Sequence, residues 1–229
     1  MAEFEVHRLE GTQYVDAHVD NESIRAEAGA PSYYNGDIEI ESQLIPSPVK
    51  MMRSVLADEA IFRPVFSGTG VVTLESSRGG FHVLDLEADS WILEPGAYWA
   101  SEDSIDLGFH RESLMTAIWA NEGLVYLQTR VSGTGKVVVT TRGPVNLVKL
   151  EEGQRVATEG KFVICRSHDV SYRIRRATKN WLGRFTSGEG LVRVYEGPGK
   201  VLLNPAPYWR YRIFTEHGTD PEYPSRAMA

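Results

Sequence analysis

The chain has 229 residues, 42% of them hydrophobic, with 31 acidic against 24 basic side chains, a net charge of −7 and one cysteine. That is enough apolar matter for a core burying about 70% of the unfolded surface, while the lone cysteine excludes an internal disulfide framework. No apolar run approaches the roughly 20 residues of a membrane helix, and the acidic balance opposes a general polyanion binder.

The first residues, "MAEFEVHRLE", have neither the charged nor the apolar region of a signal peptide, so a cytoplasmic protein is expected. "DAHVD" then places Asp16, His18 and Asp20 on one face of a strand. Three such side chains could ligate a divalent metal; the favoured reading is the solvent face of an edge strand with Val15, Ala17 and Val19 turned inward. No cofactor is expected. Next, "SIRAEAGAPSYY" brings Gly29 to a corner that recurs at Gly96 and Gly160. "SPVKMMRSVL" reads as a helix with Ser47 as N-cap and Pro48 at its first position. "RESLMTAIWA" and "RATKNWLGRF" occupy matching places further on.

A glycine-rich segment follows, and it repeats: "FSGTGVVTL", "VSGTGKVVV" and "YEGPGKVLL", with Gly68, Gly133 and Gly197 separated by 65 and 64 residues. The second copy contains "GTGK", which invites a phosphate-loop reading, but a β-branched run follows Lys136 where that loop needs a helix. The pairs Gly68 and Gly70, Gly133 and Gly135, Gly197 and Gly199 are read instead as backbone devices, tight hairpin turns before a strand. Before each lies a glutamate, Glu59, Glu122 and Glu189, read as structural bonds at loop or helix ends.

The repeat predicts three modules in a single unit: 1–58, 59–121 and 122–188, the first completed by strands from 189–214 and followed by a disordered tail at 215–229. Residues 1–60 carry twelve acids and four bases, and residues 161–200 nine bases and three acids. The basic stretch 172–184 sets Arg173, Arg175, Arg176, Lys179 and Arg184 among Tyr172 and Trp181. It could meet an anionic partner or a membrane surface, with nucleic acid disfavoured by the overall charge and a solvated face the simplest account. Tyr208, Trp209 and Tyr211 form either an oligomer anchor or the packing of a closing strand. Cys165, in "KFVIC", is read as core. No serine sits in a strained elbow and no two histidines stand two residues apart, so no catalytic residues are assigned.

The segments "ANEGLVYLQTRVSGTGKVVV", "TSGEGLVRVYEGPGKVLL" and "AEAGAPSYYNGDIEIES" resemble the family named for altered inheritance of mitochondria, the mitochondrial biogenesis proteins, over about residues 12 to 205. The resemblance implies an all-β protein of three short double-stranded β-helix modules in a pseudo-threefold arrangement like that of the tryptophan RNA-binding attenuation protein. It carries no established catalytic residues. Two roles stand at this point: a non-catalytic protein assembling edge to edge into homo-oligomers, or a binding module that takes an anionic partner on its basic face.

Overall fold

The structure, a computed structural model, describes residues 1–9, 12–41, 63–77, 79–111, 127–159, 162–176 and 191–205. Among these residues it is all-β: β1 (Glu3–Leu9), β2 (Thr12–Ala26), β3 (Pro31–Glu41), β4 (Val65–Ser77), β5 (Phe81–Leu93), β6 (Tyr98–Glu102), β7 (Asp106–Arg111), β8 (Leu127–Thr140), β9 (Asn146–Leu150), β10 (Arg155–Glu159), β11 (Val163–Ser167), β12 (Ser171–Arg176), β13 (Leu191–Glu196) and β14 (Gly199–Leu203). The strands follow the alternation of their residues. In β2, Val15, Ala17 and Val19 are buried between the outward side chains of Asp16, His18 and Asp20. β8 contains the β-branched run Val137 to Val139, wholly buried because both faces of the sheet are covered there, Val138 packing in one core and Val137 and Val139 in another.

One antiparallel pairing scheme recurs. Strand β4 lies between β2 and β3. Strand β8 lies between β5 on one edge and β6 with β7 on the other. The pair β13 and β14 lies between β10 with β9 and β12 with β11. Two short seams join these sets. At the first, Ile24, Arg25 and Ala26 of β2 pair with Glu102, Ser101 and Ala100 of β6. At the second, Trp91, Ile92 and Leu93 of β5 pair with Ser167, Arg166 and Cys165 of β11. Through the seams eleven strands form one sheet, and β10, β13 and β12 form a second.

The cores follow the same division and interlock. Val15, Ile24, Val72 and Leu74 of the first set pack with Ala100 and Val138 of the second. Leu93, Val131 and Ile105 pack with Ile164, Cys165 and Leu202 of the third. Each fully buried Val, Leu or Ile contributes about 1.5–3 kcal/mol, so neither of the first two sets can be removed without opening its neighbour.

Three expectations are corrected. The recurring glycines are not at hairpin turns: Gly68 and Gly70 lie inside β4, and Gly133 and Gly135 inside β8. The reason is close approach. Gly68 has φ +134°, and an added Cβ would run into the carbonyl oxygen of Asp37 on β3. Gly197 and Gly199 flank the break between β13 and β14. Secondly, β13 and β14 pair with 146–176 and not with the N-terminal module, whose own glycine strand β4 already fills that place. The repeating units therefore run 12–77, 81–140 and 146–203, closed at their ends by β4, by β8 and by β13 with β14, because these strands are bonded to the strands that precede them in the unit. Thirdly, β2 is not an edge strand over 13–18, since β1 covers one edge and β4 the other. The helices expected at 47–56, 111–120 and 176–185, the glutamates Glu59, Glu122 and Glu189, the aromatics 208–211 and the tail 215–229 lie outside the described residues, apart from Arg111 and Arg176, which end strands.

Candidate functional site

The seams carry most of the buried charge. In the first, Arg63 donates from Nε to Glu27 Oε2 at 2.8 Å and covers the Tyr98 ring, its carbon Cζ 4.0 Å from the ring centre. The Tyr98 hydroxyl lies 3.0 Å from Ser101 Oγ and donates to the Arg25 carbonyl at 3.3 Å. Burial, opposed by the Ser101 bond, pushes this phenol up to about 12. Nearby Arg25 pairs with Asp103 at 2.6 Å. In the second seam Glu94 takes the place of Glu27 and Gln128 that of Arg63, with Gln128 Nε2 donating to Glu94 Oε1 at 2.9 Å. Buried Arg193 approaches the same carboxylate at 3.7 Å. Buried Arg166 donates to the Val170 carbonyl at 3.0 Å and lies 5.6 Å from the Tyr172 ring centre. Tyr195, wholly buried, has its phenol raised by burial first and then by Glu94.

Sequence reasoning missed Glu94, Arg166, Arg193 and Glu102. The available signal was a charge interrupting an apolar strand, as in "VICRS" and "LVRVY".

The "GTGK" segment meets an anion after all, one belonging to the protein. The Lys136 amide donates to Glu102 Oε2 at 3.1 Å, and Glu102 is 4% exposed. Gly135, at φ +143°, has no room for a side chain because the Glu102 carboxylate lies against it.

On the basic strand, Ser171, Arg173 and Arg175 face out while Tyr172 and Ile174 are half-buried. Arg173 pairs with Glu196, which also holds Arg155 in a two-pronged contact at 2.9 and 3.1 Å. The two guanidiniums lower the Glu196 pKa, the Arg155 hydrogen bond being the largest cause. Arg176 ends β12, and Lys179 and Arg184 lie outside the described residues.

Asp16, His18 and Asp20 share the outer face of β2 with Glu5 and His7 of β1. His7 Nε2 lies 3.2 Å from Asp16 Oδ2 and 3.7 Å from Glu5 Oε2, and His18 Nε2 lies 3.6 Å from Glu5 Oε2. Asp16 Oδ1 accepts from the Thr73 hydroxyl at 2.6 Å, and Asp20 accepts from Thr69 at 3.4 Å. Cys165 is wholly buried, its thiol pKa raised by burial and then by Glu94.

Two edges equivalent to those of the seams lack a partner strand among the described residues: the outer edge of β10 and that of β3. Ala26 and Leu93 stand three residues before Gly29 and Gly96, and Ala157 stands three before Gly160. Their partners Ala100 and Cys165 stand four and five residues after Gly96 and Gly160, which corresponds to Tyr33 and Tyr34 after Gly29. Both tyrosines are exposed, at 61% and 49%.

Comparison with known proteins gives three findings. The family model described as mitochondrial biogenesis AIM24 matches residues 4–206. An uncharacterized protein of Streptococcus pyogenes serotype M6 is 22% identical over 154 residues, which cover 66% of this chain and 61% of that protein, so the match spans about three fifths of the relative's length. The crystal structure of a Streptococcus pyogenes protein superimposes with a TM-score of 0.69 at 17% identity, covering 96% of this chain and all of the other. At that identity the likeness concerns the fold.

Proposed function

The chain belongs to the mitochondrial biogenesis AIM24 family, and on that premise we propose that it is a non-catalytic assembly protein of the cytoplasm, built of three short double-stranded β-helix modules that join edge to edge, within the chain and between chains. The observation that carries this reading is the seam. The same edges meet twice inside the chain, and one copy of each, the β10 edge at Ala157 and the β3 edge at Tyr33 and Tyr34, is left over among the described residues. A sheet edge offers a row of unpaired N–H and C=O groups to another chain. Because the two leftover edges differ, the contact is heterologous and generates a ring or a longer array.

A catalytic role finds little support in the seams, where Glu27, Glu94 and Glu102 are engaged by Arg63, Gln128 and the Lys136 amide. Anion binding on β12 is weakened by Glu196, which already holds Arg173.

Native mass spectrometry and light scattering of the full chain test the reading. A defined oligomer is expected, and Tyr34→Pro, which removes a ladder N–H from the β3 edge, should reduce its mass with the circular dichroism spectrum unchanged. A wild-type protein that is monomeric at tens of micromolar would overturn it.

A further inference from the structure

We propose that the cavity where the β1–β2 hairpin meets the two connections between repeating units is a binding site for a small organic carboxylate with a ring-sized apolar body. Its volume is about 360 Å³, within the range of small-molecule sites, about 300–1,000 Å³. Three stretches of chain far apart in sequence line it. Arg8 and Gln13 stand opposite each other in the hairpin. Gly79 comes from the connection between the first and second units, with Phe81 from the strand it leads into. Thr141, Pro144 and Val145 come from the connection between the second and third.

The walls are held by these same residues. The Thr141 amide donates to the Gly80 carbonyl at 2.9 Å, and its hydroxyl donates to the Gly79 carbonyl at 3.3 Å. A Cβ added at Gly79 would run into the Thr141 carbonyl oxygen, so the two connections lie in direct contact. Gly80, at φ +110°, leaves room for the Gln13 carboxamide, whose Oε1 accepts from the Phe81 amide at 2.9 Å. A cavity built in advance loses little freedom when it is filled.

The lining is complementary to one negative charge. Arg8 is exposed, and among the described residues neither its guanidinium nor Gln13 Nε2 has a partner. No carboxylate belongs to the lining. A guanidinium receives a carboxylate through two parallel hydrogen bonds, and one guanidinium beside one carboxamide suits a monoanion better than a doubly charged phosphate. Phe81, Pro144 and Val145 give the ligand's body an apolar wall, and Phe81 is itself backed by the Trp99 ring, 5.8 Å away. None of these residues belongs to β3 or β10, so the site stands whether or not chains join edge to edge.

Fluorine NMR of 4-fluorobenzoate added to the full chain tests the site at any oligomeric mass. Saturable binding at one site per chain is expected below about 10 mM, with hexanoate displacing the probe and inorganic phosphate at the same concentration leaving it bound. The neutral 4-fluorobenzyl alcohol should bind at least about tenfold more weakly, and Arg8→Gln, at an exposed position where folding is not at risk, should weaken 4-fluorobenzoate by at least about tenfold. Arg175→Gln, which removes an exposed charge elsewhere, should leave affinity unchanged. Absence of saturable binding overturns the proposal, as does wild-type affinity in Arg8→Gln or equal affinity for the alcohol.

Discussion

The guanidinium carbon of Arg63 lies 4.0 Å from the centre of the Tyr98 ring. The two residues come from different strand sets, and between them the first seam is closed: Arg63 holds Glu27 on its own side and the ring on the other. Gln128 stands five residues before Gly133 as Arg63 stands five before Gly68, and it holds Glu94 in the same way without the charge.

Replacing Glu27 by Ala leaves the Arg63 guanidinium, whose side chain is 7% exposed, without its carboxylate. A loss of about 1–3 kcal/mol in chemical denaturation is expected. Asp103→Ala, which removes the more exposed partner of Arg25, should cost no more than about 1 kcal/mol.

Gly68→Ala places a Cβ against backbone at φ +134°, whereas at Gly133 the nearest atom to an added Cβ is the Ser104 carbonyl oxygen at 3.4 Å. Both substitutions meet positive-φ strain of about 1–3 kcal/mol, and the first meets a steric clash as well. Urea midpoints should fall further for Gly68→Ala than for Gly133→Ala.

Tyr98 imposes an alkaline limit. Its folded pKa is raised from 10.0 to about 12, so its contribution is fully present below pH 10 and is lost as pH rises from there toward 12, where the unfolded chain ionises first. Two units correspond to about 3 kcal/mol. Stability measured from pH 9 to 12 should fall less steeply in Tyr98→Phe than in the wild type.

Cys165 should be inert. It is wholly buried and its thiol pKa is raised, and the thiolate is the reactive form. Ellman's reagent at pH 8 is expected to react at the rate of unfolding, and immediately in denaturant; rapid reaction of the folded protein would show that the second seam opens locally.

Glu196→Gln releases Arg155 and Arg173 together. Binding to vesicles with anionic headgroups, measured by sedimentation at low salt, should be stronger for this variant than for the wild type, and the difference should vanish at high salt.

Much of the fold was legible because glycine has no substitute. A backbone that must adopt positive φ beside a neighbouring strand leaves its mark in the sequence, so Gly68 and Gly133 announced two equivalent strands, and the outward Asp16 and His18 followed from alternation alone. Position within the element was not legible: two glycines before an apolar run describe a hairpin turn and a close approach in mid-strand equally well, and only the presence of Asp37 and Glu102 across the gap decides between them. The unit boundaries, the pairing of β13 and β14 with 146–176, and the meeting of Glu5 with His18 and of Arg63 with Tyr98 were likewise decided by tertiary structure. Sheet hydrogen bonds and buried ion pairs join residues far apart in the chain, and local preference is the same whichever partner strand arrives.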